Sequence, residues 1–391
     1  MALGRMLHPA FSCGMFTPLL FLLAMPHVLS AFEVVTLATS GDFSSWACDS
    51  HLTGTSSPLT AVVSSCGAIG RIDLADGVIT RLAGSPHSFG FQDGSGADAR
   101  FGQSQGEIYP AVVGERIVVA DPQNLRIRLV DLTTGGTSTL AGNGDSGVQE
   151  GVGGVARFCD PRHAAHVPGT DYVLIADSHR IRRIDAATGD VSNVAGLVPL
   201  NCAHLSIDTT SSSSTFGHAI EAIAVDSDGS AFVANRNADI FRVSVATGSI
   251  SRIMQRKSHN GCMSLVVLPP ASDAASGVKR VMVAEKYNHF LWTFEEQDAA
   301  SATSCVAGGS IGNFGSSDGK GTVARFNRPG TLALMANGTT VVVWEDHDSG
   351  KIRLVDTSMA SGLCGACSCV PSCRPPTPGV RTAPRFRSSR V

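Results

Sequence analysis

The sequence predicts an all-β protein made of repeated antiparallel sheets, and three observations lead to this prediction. First, the 391 residues are 43% hydrophobic and 16% charged, with 42 glycines and 18 prolines. Such a chain is too apolar for disorder and too rich in glycine for a helical bundle. Second, short runs of alternating β-branched and polar residues recur between glycine turns. Third, the last repeat lacks one strand, and the chain supplies a matching strand near its N-terminus.

The N-terminal residues 1–30 are predicted to be a secretory signal peptide. Arg5 precedes the apolar run Phe16–Met25, and the small residues Ser30 and Ala31 follow as a cleavage site. The apolar run is shorter than the roughly 20 residues that a bilayer span requires, which argues against the alternative of a retained signal anchor. We therefore expect a secreted chain, or one in the lumen of the secretory pathway, with no stable membrane insertion.

The repeats are marked by three recurrent signals. In the first signal, a strand ending in Ala-Asp is followed by an Ile-Arg-rich strand, as in Val118–Asp131 and Leu174–Asp185. In the second, a strand ends in Leu/Val-Ala-Gly, as in Val78–Gly84. The third signal is an Asp/Glu-Gly-x-Gly loop ending in Ala-Arg-Phe, which occurs at residues 93–101, 150–158 and 318–326. Each unit offers four short strands, the pattern of a propeller blade.

The predicted architecture over residues 31–363 is a six-bladed β-propeller of four-stranded antiparallel blades. Anchor residues of the third strand lie 51 to 60 residues apart: Ile72, Leu129, Ile184, Val243, Phe294 and Leu354. The sixth unit stops after its third strand at Asp356, while Phe32–Ser40 resembles the missing fourth strand. The N-terminal strand is therefore expected to pair in the last blade and close the ring, which removes two exposed sheet edges.

These motifs resemble the NHL-repeat family of six-bladed propellers. The resemblance rests on Ala120–Arg128, on Asn288-His289 and on the loops ending in Ala-Arg-Phe, and it covers about residues 32–356. The fourth unit departs from the pattern, because residues 206–218 are rich in serine and lack Ala-Arg-Phe. The resemblance implies a propeller fold, and a peptide-amidating lyase that shares this fold provides a precedent for a divalent ion at the channel mouth.

Polar residues on the predicted innermost strands are the candidate site. These strands are expected at 59–64, 107–113, 163–167, 220–226, 263–268 and 331–336. The polar residues predicted to bind ligand at the rim of the channel are Glu107, Tyr109, His163, His218 and Glu221. His163 and His166, three apart in a strand, are expected to point to opposite faces, so that both cannot face the channel.

Two functions are open at this point. The first is a monomeric binding scaffold that engages a protein or glycan through one propeller face, without a cofactor or catalytic residues. The alternative is a metal-dependent lyase or hydrolase in which zinc or calcium is held by His163, His218, Glu221 and Glu107. Nucleic-acid binding is not expected, since the basic C-terminal segment has almost no aromatic residues for stacking.

The motif residues themselves have a structural interpretation. The glycine loops lack the strand, helix and Lys-Ser/Thr of a phosphate-binding loop, so their glycines are expected to supply turns between blades. Their phenylalanines, Phe101, Phe158 and Phe326, are expected to plug the space between blades. Their arginines, Arg100, Arg157 and Arg325, are expected to bond the loop or its acid. The recurrent acids at strand ends, Asp121, Asp177 and Asp346, are expected to cap turns.

The cysteines are interpreted as disulfides, because ten remain once Cys13 is removed with the signal peptide. The expected pairs are Cys48 with Cys66, Cys159 with Cys202, and Cys262 with Cys305, although six cysteines allow fifteen pairings. A cluster formed by Cys364, Cys367, Cys369 and Cys373 is expected to make two more disulfides, with zinc binding as the alternative. Residues 364–391 then form a disordered tail with five arginines and no acid, and Asn337-Gly-Thr339 is a predicted glycosylation site.

Overall fold

The computed structural model describes residues 33–37, 51–102, 108–197, 202, 215–255, 264–270, 279–296, 303–308, 314–345 and 351–358. The predicted signal peptide, the cysteine cluster and the basic tail lie outside these residues. Among them, no helix is long and apolar enough to cross a membrane.

Six antiparallel sheets make up the fold, and they are numbered as blades in chain order after a separate first strand, β1 (Glu33–Thr36). Blade 1 contains β2 (His51–Gly54), β3 (Thr60–Ser65), β4 (Ala68–Asp73) and β5 (Ile79–Gly84). Blade 2 contains β6 (Gly94–Ser95), β7 (Tyr109–Val113), β8 (Arg116–Asp121), β9 (Arg126–Asp131) and β10 (Gly136–Ala141). Blade 3 contains β11 (Gly151–Val152), β12 (Pro161–His166), β13 (Tyr172–Asp177), β14 (Arg180–Asp185) and β15 (Asp190–Gly196).

The second half of the ring repeats this order. Blade 4 contains β16 (Ile220–Val225), β17 (Ser230–Asn235), β18 (Ile240–Ser244) and β19 (Ile250–Met254). Blade 5 contains β20 (Ser264–Leu268), β21 (Arg280–Glu285), β22 (Phe290–Glu295) and β23 (Thr303–Gly308). Blade 6 contains β24 (Gly319–Lys320), β25 (Pro329–Leu334), β26 (Thr340–Glu345) and β27 (Ile352–Asp356), together with β1. Single turns of 3-10 helix lie at Gly96–Asp98, Pro122–Asn124, Gly153–Val155 and Gly321–Val323.

The ring is closed by β1, as the sequence predicts. Val34 pairs with Val355 and Thr36 with Arg353, which makes β1 the fourth strand of blade 6. Each inner strand (β2, β7, β12, β16, β20 and β25) contacts the inner strands of both neighbouring blades, and β25 contacts β2 to complete the circle. The predicted six-bladed propeller is therefore confirmed, with the addition of a two-residue fifth strand in blades 2, 3 and 6.

The predicted position of the inner strand of blade 1 is wrong. Of the residues expected there, 59–64, all but the first belong to β3, the second strand of the blade, while β2 is innermost. The strand β2 has four residues, His-Leu-Thr-Gly, and no glycine turn of the repeat type precedes it. A run this short carries too little alternation to be recognised as a strand.

Apolar side chains between neighbouring blades form the core. Phe101, Phe158 and Phe326 are fully buried between consecutive blades, as predicted for the loops that end in Ala-Arg-Phe. Blade 4 has no such loop, but Phe216 is fully buried between blades 3 and 4 and packs against Phe241 with ring centroids 5.3 Å apart. The packing function of the motif is thus retained where the motif is lost.

Buried arginines on the third strands explain the Ile-Arg signal. Arg128, Arg182 and Arg353 have no exposed surface, and each stacks on the phenylalanine of its own loop at 4.7–5.1 Å. Each guanidinium also donates to two backbone carbonyls of that loop, for example those of Ser317 (2.9 Å) and Arg325 (3.0 Å) for Arg353. The loops are therefore fixed to the blades by charge-assisted hydrogen bonds.

The acids at the strand ends are partners of these arginines rather than simple turn caps. Asp121, Asp177 and Glu345 are fully buried, and each forms an ion pair with the buried arginine of its blade. Asp177 also accepts hydrogen bonds from the amides of Cys159 and Asp160, both at 2.8 Å. The predicted equivalent in blade 6, Asp346, lies outside the described residues, and the preceding Glu345 takes the role.

Blade 4 has lost the acid and the arginine together. Asn235 stands at the position of the acid and donates to the Phe216 carbonyl (2.7 Å), while Phe241 stands at the position of the arginine. With both groups replaced by neutral ones, this blade leaves no buried charge without a partner at these two positions.

One predicted disulfide is confirmed: Cys159 bonds to Cys202, with Cα atoms 5.3 Å apart. Cys66 is also disulfide-bonded. Cys48, Cys262 and the four cysteines of the predicted tail lie outside the described residues, and Cys305 is described only as part of β23. Asn337 lies on an exposed turn between β25 and β26.

Candidate binding site at the channel mouth

Equivalent positions near the start of the inner strands form what we call the polar tier. In every blade, one inner-strand residue pairs with the fourth residue of the second strand: Leu52, Pro110, Ala164, Ile223, Leu265 and Leu332. The residues that directly precede these six are His51, Tyr109, His163, Ala222, Ser264 and Thr331. Five of the six blades thus carry a hydrogen-bonding side chain at this position, and blade 4 carries alanine.

A cavity of about 290 Å³ lies at the centre of the ring and is lined by residues of all six inner strands. His51, Tyr109, His163, Ser264 and Thr331 of the polar tier line it, followed along the strands by apolar residues such as those of β20 and β25. None of the described residues that line the cavity is Asp, Glu, Lys or Arg. The cavity is therefore a neutral pocket, polar near the strand starts and largely apolar along the channel.

His163 occupies an irregular position in β12. The pairing with β13 shifts between Arg162 and Ala164, which leaves His163 as the extra residue of a β-bulge, with φ of 40°. Bulges re-aim side chains and are common beside functional sites. Both ring nitrogens are buried, and neither has a hydrogen-bond partner among the described residues. Burial lowers the pKa of His163 to about 4, because the imidazolium would lose its hydration, so the ring is neutral at pH 7.

His51 and Tyr109 pack against each other beside His163. Their ring centroids are 4.0 Å apart, and the centroid of His163 lies 5.8 Å from Tyr109 and 6.5 Å from His51. His51 and Tyr109 are each 7% exposed. Sequence reasoning missed His51 because it placed the inner strand of blade 1 at residues 59–64.

Of the predicted rim residues, the structure brings Tyr109 and His163 together in the cavity. His218 and Glu221 do not line it: the Nε2 atom of His218 lies 2.6 Å from the side-chain amide nitrogen of Asn237, and Glu221 accepts from Arg236 at 3.0 Å. Glu107 lies outside the described residues. The described residues contain no group of three or more His, Cys, Asp or Glu that could hold a metal ion.

His163 and His166, expected to point to opposite faces of the strand, both belong to the residues that line the cavity. His166 lies toward the end of β12, where its Nε2 atom is 2.8 Å from the Thr170 carbonyl oxygen. Strict alternation along a strand assumes regular pairing, and the bulge at His163 adds a residue that breaks it.

Comparison with known sequences gives one informative relative and no family model. No protein-family model matches the chain. The chain is 26% identical over 336 residues to Protein SUPPRESSOR OF QUENCHING 1, chloroplastic, from Arabidopsis thaliana, an alignment that covers 78% of this chain. It spans 30% of that relative, less than a third of its length.

Solved structures share the fold at low sequence identity. An auxiliary nutrient binding protein from Bacteroides ovatus matches with a TM-score of 0.57 and 12% identity, covering 84% of this chain and 77% of that chain. A second auxiliary nutrient binding protein, from Bacteroides thetaiotaomicron, matches with a TM-score of 0.56 and 12% identity, covering 84% and 76%. A protein of unknown function from the same species has a TM-score of 0.54 and 14% identity, covering 83% and 76%. The chain thus has the fold of these β-propeller proteins.

Proposed function

We propose that the chain is a secreted NHL-type β-propeller that serves as a binding scaffold and engages a protein or glycan at the face where its inner strands begin. The observation that carries the proposal is the polar tier. The repeat motifs are used to hold blades together, as with the Arg353–Glu345 ion pair and the buried Phe326, whereas His51, Tyr109 and His163 surround a cavity. Concave pockets with a few convergent polar groups are the usual binding sites of globular proteins.

The relatives agree with a binding role without defining it. Two propellers with the same fold are described as nutrient binding proteins. The name of the Arabidopsis relative places that protein in the chloroplast. For this chain, we propose the secretory route on the basis of residues 1–30 and the Cys159–Cys202 disulfide, which suits an oxidising compartment.

The experiment expresses the full chain with a C-terminal tag in eukaryotic cells and recovers it from the medium. N-terminal sequencing should show cleavage near Ser30, and the purified protein is then screened on glycan arrays and by crosslinking to cell-surface proteins. Tyr109→Ala should abolish capture of whatever the wild-type protein binds, while Glu221→Ala, which changes the same inner-strand region outside the cavity, should leave it intact. Retention in the cell, or capture that Tyr109→Ala does not change, contradicts the proposal.

A further inference from the structure

We propose that the central cavity binds a single uncharged sugar ring, either as a free sugar or as the terminal residue of a glycan. This inference rests on the proposed binding function and specifies the chemistry of its ligand. Four features of the cavity support it: the hydrogen-bonding character of the polar tier, the buried ring nitrogens of His163, the packing of the aromatic rings and the volume of the cavity.

The polar side chains of the cavity share one property: each can both donate and accept a hydrogen bond. This holds for the imidazoles of His51 and His163, the phenol of Tyr109, and the hydroxyls of Ser264 and Thr331. A carboxylate or phosphate ligand calls for donors such as Arg or Lys, and an ammonium ligand calls for carboxylates. A ligand whose own groups both donate and accept is the best match, and hydroxyl groups do so.

His163 provides a second, independent indication of a ligand. Its two ring nitrogens are buried, and neither has a hydrogen-bond partner among the described residues. A neutral imidazole has one donor and one acceptor, and leaving such groups buried and unpaired is destabilising. A sugar hydroxyl can donate to the unprotonated ring nitrogen or accept from the protonated one. A hydroxyl that reaches either nitrogen supplies one of these missing hydrogen bonds.

The shape and polarity of the walls fit a ring with one polar edge and one apolar face. The Tyr109 and His51 rings form a packed aromatic wall, with centroids 4.0 Å apart. Half-buried apolar residues further along the strands, Val225, Val267 and Leu334, add apolar surface. A sugar ring presents C–H groups on its faces and hydroxyls at its edge, so it can place the faces against this apolar surface and the edge against the polar tier.

The volume of the cavity restricts the ligand to one ring. Pockets for drug-sized ligands measure about 300–1,000 Å³, and this cavity, at about 290 Å³, lies at the lower end. A charged ligand is disfavoured because no described lining residue carries a compensating charge, and an ion buried without one pays a large desolvation cost. An uncharged monosaccharide unit meets both limits.

The test measures binding of named sugars to the full secreted chain by saturation-transfer NMR and by the shift in Tm. The uncharged probes are glucose, galactose, mannose and N-acetylglucosamine, and the charged counterparts are glucuronate and glucosamine at pH 7. We expect at least one uncharged sugar to bind and raise Tm, since a ligand that binds only the native state must stabilise it. Absence of binding by every uncharged probe, or equal binding of a charged counterpart, overturns the proposal. A methyl glycoside carries a substituent where a glycan would continue. If it binds as well as the free sugar, the cavity can take the terminal residue of a glycan as its ligand.

His163→Phe keeps a ring in the cavity and removes both nitrogens, so we expect at least a tenfold loss of sugar affinity. His218→Phe is the matched control, because the same change is made outside the cavity, and its affinity should equal that of the wild type. If His163→Phe does not fold, the test uses the ring ¹⁵N resonances of His163 in the wild-type protein instead. These resonances should shift on saturation with sugar, while those of His218 should not. Unchanged His163 resonances on saturation overturn the proposal.

The failure of this inference can be distinguished from the failure of the proposed function. If His163→Phe still captures the partner found in the array or crosslinking screen while no sugar binds the cavity, the sugar proposal is overturned and the scaffold function stands. If the wild-type protein captures neither partner nor sugar, both are overturned.

Discussion

The buried arginine of blade 6 should dominate the stability of the ring closure. Arg353 has no exposed surface, and it donates to the carbonyl oxygens of Ser317 (2.9 Å) and Arg325 (3.0 Å) and to carboxylate oxygens of Asp318 (2.9 Å) and Glu345 (2.5 Å). Burial raises the pKa of Glu345, and the charge of Arg353 opposes that rise. In Arg353→Met the carboxyl group loses its cation and two carbonyls lose their donors. We expect a loss of about 3–5 kcal/mol in the free energy of unfolding, the usual cost of breaking a buried ion pair.

Urea unfolding followed by circular dichroism measures this loss. Arg116→Met is the matched control, because Arg116 pairs with Asp171 at 2.5 Å where both side chains are partly exposed, and such a pair contributes about 1 kcal/mol or less. Adding Glu345→Leu to Arg353→Met should restore part of the loss, since it removes the buried acid that has no partner. An Arg353→Met protein as stable as the Arg116→Met control would refute the reasoning.

Three further predictions concern a titration, a disulfide and a modification. Between about pH 6.5 and pH 4, the free energy of unfolding should fall by up to about 3 kcal/mol as the pH decreases. The reason is that His163 takes up a proton in the unfolded chain, whereas its buried ring beside His51 and Tyr109 does not do so in the folded protein. Urea unfolding at pH 7 and pH 4.5 should show a smaller fall in His163→Phe than in the wild type. Cys202→Ser should lower the free energy of unfolding by about 4 kcal/mol, because the Cys159–Cys202 bond joins residues 43 apart and its loss raises the entropy of the unfolded chain. A wild-type protein that is equally stable before and after reduction would contradict this. Asn337→Gln should remove a glycosidase-sensitive mass from the protein expressed in eukaryotic cells, and an unchanged mass would show that Asn337 is not modified.

The ring could be predicted from sequence because the patterns that specify each blade lie within short segments and recur along the chain. Strand alternation, glycine turns and the spacing of residues such as Leu129 and Ile184 recur in every unit, and β1 matches the strand that the sixth unit lacks. The role of the Ile-Arg signal could not be predicted in the same way. Arg128 acts on a loop 28 to 36 residues earlier in the chain, and that contact exists only once the blades are packed.

The candidate site was predicted only in part, for two physical reasons. His51 was missed because a four-residue strand has too few alternations to identify, although its place in the ring puts it against Tyr109. Regular alternation does not apply to His163, because it is the extra residue of the bulge in β12. His218 and Glu221 carry the right chemistry for a site, but their partners Asn237 and Arg236 come from the turn that follows β17. Which polar residues converge is decided by this tertiary geometry.

The account depends on closure of the ring by β1, because the central cavity and its polar tier exist only in a closed ring. Amide hydrogen exchange of the intact chain, followed by mass spectrometry, tests this most directly. We predict that peptides covering Glu33–Thr36 and Ile352–Asp356 are protected from exchange, as are those covering Arg116–Asp121 in blade 2, because β1 pairs with β27 and β24, β27 pairs with β1 and β26, and β8 pairs with β7 and β9. Exchange of Glu33–Thr36 at the rate of an unstructured peptide, with Arg116–Asp121 protected, would contradict the account.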